Sequence, residues 1–169
     1  MSLPLRSLAN GLTIARAVAG LPLILALQAD AAALAWWLLL MAGLSDAADG
    51  WLARRAGGGS SWGARLDPLT DKVLIAAPLL WLAAAGTLPL WAVWLLLARE
   101  LLISGWRSQA GDGGPASLAG KGKTVLQFLA LLLMLWPPSW SGHQQLLVAG
   151  WWLFWPSLLL AVSSAVAYI

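Results

Sequence analysis

The sequence predicts an all-α fold: an integral membrane bundle of six transmembrane helices, forming one domain over residues 1–169. Three observations lead to that fold. Of the residues, 60% are hydrophobic and 10% are charged, where a soluble domain carries about 25% charged residues. The apolar residues gather into six long runs broken by short connections, the pattern of successive bilayer spans. Lys and Arg then occupy alternate connections: they lie in the N-terminal lead, in 54–72 and in 99–123, while Gln28 to Asp30, Gly86 to Leu90 and Pro137 to His143 carry none. By the positive-inside rule this places both termini and the turn between the second and third helices on the cytoplasmic side of the cytoplasmic membrane.

The first segment is expected from Gly11 to Leu27, after a short amphipathic lead with Arg6, and Asn10 and Thr13 suit its start. Arg16 within it either snorkels to the interface or contacts a phosphate. The second runs from Ala31 to Arg54 and ends at the basic pair Arg54-Arg55. The third starts near Ala64 and reaches Ala85, and Pro68 suits its first turn, where a missing N–H is harmless. The fourth spans Leu88 to Trp106. The fifth opens at Lys121-Gly122-Lys123-Thr124 and ends at Pro137-Pro138. The sixth runs from Gln145 to Ile169, with Pro156 as a kink site. The thirteen tryptophans sit mostly near segment ends, among them Trp36, Trp37, Trp62, Trp106, Trp140, Trp151 and Trp152, as an interfacial aromatic belt requires.

The formal charge of +3 raises nucleic acid as a partner, but the basic residues form no run or stripe and lie among apolar segments. An anionic lipid surface and a phosphorylated substrate fit them better. The absence of cysteine excludes disulfides and thiolate chemistry. The N-terminus lacks the n-region and cleavage site of a signal peptide and reads as mature protein.

The chemistry is concentrated in residues 46–71. Four of the six aspartates lie here, in the pattern D-x-x-D-G-x-x-A-R, eight residues, then G-x-x-x-D-x-x-x-D. A carboxylate in a membrane helix costs about 2.5 to 3.5 kcal/mol, so four together need a function. Carboxylates grouped this way hold a hard divalent cation, which prefers oxygen ligands. On helices, Asp46 and Asp49 lie roughly 60° apart on one face, and Asp67 and Asp71 roughly 40° apart on another. Ala56-Gly57-Gly58-Gly59-Ser60-Ser61 between them reads as a flexible turn, so two antiparallel helices would bring the pairs together. Gly50 and Ala53 keep the first face small enough for a ligand to approach the backbone.

This stretch resembles the signature of the CDP-alcohol phosphotransferases and matches its defining positions. The opening Asn10-Gly11-Leu12-Thr13 with Arg16 is similar to the family's first helix. The resemblance implies Asp46, Asp49, Asp67 and Asp71 as ligands of Mg²⁺ or Mn²⁺, two ions in all, with Asp71 as the base that takes the proton of the attacking hydroxyl. It also implies a CDP pocket of Asp49, Gly50, Ala53, Arg54, Gly63 and Asp67. Residue chemistry alone separates neither base from ligand nor a pocket role of Arg54 from membrane anchoring. Buried salt bridges to Arg54, Arg65 or Lys72, and a proton or cation pathway, are the competing readings of the aspartates. A pathway would spread its acids across the bilayer, whereas these cluster at one end.

A second stretch runs from Ala98-Arg99-Glu100 through Arg107 to Gly120-Lys121-Gly122-Lys123-Thr124 and Gln127. Its four cations face the same side as the aspartates, as an acceptor carrying its own phosphate would require and choline or ethanolamine would not. The A-R-E and G-K-x-K-T-x-x-Q patterns resemble the bacterial phosphatidylglycerophosphate synthases over nearly the whole chain, although this chain is short and rich in Gly and Ser across 108–120. The resemblance implies CDP-diacylglycerol as donor, sn-glycerol 3-phosphate as acceptor bound by Arg99, Arg107, Lys121 and Lys123, and a homodimer. Acceptors such as inositol phosphate, serine or phosphatidylglycerol, a small ion or proton transporter, and plain anchoring charges remain the alternatives. Glu100 is expected to pair with a nearby Arg or Lys, Asp112 to solvate a loop, and His143 to lie on the far side, outside any ligand set.

Overall fold

The computed structural model describes residues 15, 18–55, 63–109 and 118–166; within that range the side chains of 46–55, 63–69, 71, 106–109, 118–121 and 166 lie outside the description. The described residues form α1 (Val18–Gln28), α2 (Ala32–Arg55), α3 (Gly63–Ala84), α4 (Leu90–Gln109), α5 (Leu118–Met134) and α6 (His143–Val166), with no strand among them. The six expected segments are therefore six helices. The chain packs as two compact units, Met1–Ala77 and Pro78–Ile169, and the boundary falls inside α3 at Pro78. Among the described residues, one helix, over His143–Ala165, is long and apolar enough to cross a membrane. Val18–Gln28, Ala32–Ser45, Lys72–Ala84 and Gly122–Met134 are shorter apolar stretches.

The termini of the helices follow from local chemistry. At the end of α1, Ala31 N–H donates to the Ala26 carbonyl at 2.8 Å and Asp30 N–H donates to the Leu27 carbonyl at 3.2 Å, with Asp30 at φ 56°. That is a Schellman closure with an aspartate, one of the few L-residues tolerated there, in the left-handed position. The end of α3 repeats it: Thr87 N–H reaches the Leu82 carbonyl at 2.9 Å, Gly86 N–H reaches the Ala83 carbonyl at 3.1 Å, and Gly86 sits at φ 73°. One expectation is corrected. Because α3 begins at Gly63, Pro68 is its sixth residue and falls beyond the first turn, so the Ala64 carbonyl loses its i+4 donor there.

In the first unit, Leu23, Ala26, Leu27, Ala35, Leu39, Ala42, Leu74 and Ala77 are buried. A Cβ placed on Gly20 would lie 3.3 Å from the Ala77 Cβ and 3.5 Å from the Val73 carbonyl oxygen, so α1 and α3 approach closely there. In the second unit the core includes Leu79, Leu96, Leu131, Phe154 and Ala161. The helices approach closely at Gly150 on α6, where an added Cβ would meet the Ala130 carbonyl oxygen of α5 at 2.7 Å. The α5–α6 turn is held by Trp136, whose Nε1–H donates to the Ser141 carbonyl at 3.2 Å and whose own carbonyl lies 2.6 Å from His143 Nδ1. Tryptophans punctuate the outer surface: Trp37, Trp91, Trp94 and Trp152 are all exposed, as rings set against lipid or interface require.

Candidate functional site

The two aspartate pairs lie on unbroken helix. Asp46 and Asp49 fall in the C-terminal part of α2, with Gly50, Ala53 and Arg54 in the same final turns, and Asp67 and Asp71 fall in the first half of α3, which Gly63 opens. The spacings of three and four residues thus hold as helical registers, and each pair shares one face of its helix. The side chains of all four, and of Arg54, lie outside the described residues. Among the described residues no three acidic, His or Cys side chains gather into a metal-binding group. Across 46–55 of α2 and 63–71 of α3 the acidic residues are the four aspartates and no Cys, Met or His occurs, a composition that fits a hard divalent cation better than a softer metal.

The second unit carries a polar cluster built by three helices. Arg99 and Glu100 come from α4, Lys123 from α5 and Ser164 from α6. The Arg99 Nη1–H donates to Glu100 Oε1 at 2.9 Å, and the Lys123 ammonium donates to the same oxygen. The Arg99 Nη2–H donates to Ser164 Oγ at 2.8 Å, and the Ser164 hydroxyl in turn donates to the Ala161 carbonyl at 3.0 Å. The cluster is buried: the side chains of Arg99 and Lys123 keep 10% and 6% of their surface. Ion pairs and charge-assisted hydrogen bonds gain more at such a buried place, where water is scarce, than at an exposed site. Arg99 Nε is buried with no hydrogen-bond partner. Gln127, four residues beyond Lys123 on the same face of α5, is also buried.

Sequence reasoning places Arg99 and Lys123 among the acceptor-site cations, and the structure brings these two together. It gives Glu100 the cationic partners expected of it. The side chains of Arg107 and Lys121 lie outside the described residues, although the residues themselves belong to α4 and α5. Ser164 escapes sequence reasoning. A Ser in an apolar helix normally satisfies itself on its own backbone, and nothing in the sequence ties Ser164 to an arginine 65 residues away. His143 opens α6 and Ser164 lies 21 residues further on, about 31 Å along the axis. His143 therefore sits at the opposite end of the helix from the cluster.

Comparison with known proteins bears on both stretches. Residues 6–163 match the family model described as CDP-alcohol phosphatidyltransferase, which runs across both units. A probable phosphatidylglycerophosphate synthase of Mycobacterium tuberculosis (strain H37Rv) is 36% identical, over 96% of this chain and 80% of its own length. A CDP-diacylglycerol–glycerol-3-phosphate 3-phosphatidyltransferase of Rickettsia felis is 31% identical, over 96% of this chain and 93% of its own. One of Arabidopsis thaliana with the same activity in its name is 33% identical, over 79% of this chain and 67% of its own.

Proposed function

This chain belongs to the CDP-alcohol phosphatidyltransferase family, and on that premise we propose that it transfers the phosphatidyl group of CDP-diacylglycerol to sn-glycerol 3-phosphate. The products are phosphatidylglycerophosphate and CMP, and the reaction is a step of phospholipid biosynthesis. A hydroxyl oxygen of the acceptor forms a bond to the phosphorus that carries diacylglycerol, the bond from that phosphorus to the CMP oxygen breaks, and the hydroxyl proton leaves to a base. The relatives that carry this activity in their names align over nearly the whole chain, which supports the reading. Among the observations on this structure, the buried Arg99–Glu100–Lys123 cluster supports a phosphorylated acceptor, because Arg99 keeps a buried Nε–H with no hydrogen-bond partner, a donor that a phosphate oxygen would satisfy.

Asp71 is the residue that takes the proton of the attacking hydroxyl. Asp46, Asp49, Asp67 and Asp71 would hold Mg²⁺ or Mn²⁺, two ions in all, which when bound supply neutralisation of the pyrophosphate charge. Asp49, Gly50, Ala53, Arg54, Gly63 and Asp67 receive the CDP group. Small side chains at Gly50 and Ala53 let it approach the α2 backbone. Arg99, Arg107, Lys121 and Lys123 hold the acceptor phosphate by charge-assisted hydrogen bonds. The enzyme is a homodimer of six-span subunits in the cytoplasmic membrane, with both termini and the active site on the cytoplasmic face and the diacylglycerol tails in the bilayer. The alternation of basic connections with connections free of Lys and Arg supports that topology.

A purified-enzyme assay with CDP-diacylglycerol and a panel of acceptors tests the assignment. CMP release is expected with sn-glycerol 3-phosphate and not with inositol phosphate, serine or phosphatidylglycerol. Release driven only by one of the others would replace the acceptor, and ion flux across a vesicle without CMP release would replace the reaction.

A further inference from the structure

The Arg99 guanidinium is tied through Nη1 and Nη2, and its Nε is buried and unpaired. Its Nη1 is tied to Glu100, which also holds Lys123, and its Nη2 is tied across 65 residues to Ser164 Oγ at 2.8 Å. Nε and Nη2 share one edge of the guanidinium plane, the edge that meets carboxylates and phosphates two bonds at a time. On that edge Nη2 has Ser164, and the buried Nε has no partner. Buried donors are almost always satisfied, so an unpaired one calls for a missing acceptor atom. The Ser164 hydroxyl is itself fixed, because it donates to Ala161 on its own helix and so turns a lone pair toward Arg99.

We propose that Ser164 is a positioning residue: by accepting from Nη2 it sets the rotation of the Arg99 guanidinium so that Nε–H is kept for an oxygen of the acceptor's phosphate. The inference rests on the acceptor reading above and extends it to a residue on α6. A hydroxyl is suited to this task. A carboxylate at position 164 would offset the guanidinium charge that a phosphate needs, whereas a serine orients the arginine and leaves its charge in place.

The test is a kinetic series in the full-length enzyme, with both substrates varied. Ser164→Ala is expected to raise the KM for sn-glycerol 3-phosphate about tenfold, the scale of one hydrogen bond to a charged group. The KM for CDP-diacylglycerol and kcat should stay within about twofold, and Ser164→Thr, which restores the hydroxyl, should return the KM to near the wild-type value. In an Arg99→Lys background, Ser164→Ala should add nothing further, because the fork it positions is gone. An unchanged acceptor KM in Ser164→Ala, an equal rise in both KM values, or a Thr variant as impaired as the Ala variant would overturn the role. Failure of the acceptor reading looks different, since the wild-type enzyme itself would not respond to glycerol 3-phosphate. The series is then run with the acceptor that does support CMP release, and an acceptor without a phosphate overturns the role of Ser164 as well.

Discussion

Gly150→Ala tests how closely α5 and α6 must approach. The new Cβ would lie 2.7 Å from the Ala130 carbonyl oxygen, 2.8 Å from Met134 Cγ and 2.9 Å from Leu133 Cβ. The methionine can rotate away, but a backbone carbonyl inside a helix cannot, so the helices must part by several tenths of an ångström. Overpacking of this kind costs about 1 to 3 kcal/mol, and a rigid backbone obstacle belongs at the upper end. Replacing glycine by alanine in a helix returns about 1 kcal/mol. The net loss is then on the order of 2 kcal/mol, or roughly 4 to 8 °C in Tm for a chain of this size. Gly122→Ala is the control, because nothing lies within 4 Å of its added Cβ, and it should leave Tm unchanged or raise it. Both are read from intrinsic tryptophan fluorescence during thermal unfolding in detergent. A Gly150→Ala protein as stable as wild type, or an equal loss in both variants, would refute the packing argument.

Three further outcomes follow from the site. Asp71→Asn should lower kcat by about 10²- to 10⁴-fold, the usual contribution of a positioned base, while Tm stays within a few degrees; an active Asn variant would remove Asp71 from that role. Lys123→Ala should raise the KM for the acceptor by roughly 10- to 100-fold, because it deletes one charge-assisted contact, and an unchanged KM in steady-state kinetics would remove Lys123 from the acceptor site. Stripping divalent ions with a chelator should stop CMP release, and adding back Mg²⁺ or Mn²⁺ should restore it. Full turnover in chelator would contradict the ligand role of the aspartates.

The helices are legible in the sequence because apolar runs and their Gly, Pro and charged punctuation are local properties. Each helix falls where its run lies, and the ends differ by only a few residues among those described. Pro68 departs from its expected place for a simple reason: a first turn spans only about four residues, so a helix that opens at Gly63, or even at Ala64, has already passed that turn at Pro68. Asp30 shows the limit of reading turns by residue type, since an aspartate and a glycine close α1 and α3 with the same backbone geometry. In the polar cluster, Arg99, Glu100 and Lys123 are legible because charges in apolar surroundings need partners. Ser164 and Gly150 are not, because their roles depend on contacts between helices that sequence spacing does not encode.

The central claim is that acidic residues on α2 and α3 hold a cation that activates CDP-diacylglycerol for attack by glycerol phosphate. Its most direct test counts both products of the purified enzyme in lipid nanodiscs. CMP and phosphatidylglycerophosphate should appear in equal amounts, and only when sn-glycerol 3-phosphate and a divalent ion are both present. CMP formed at the same rate without the ion, or without any lipid product, would contradict it.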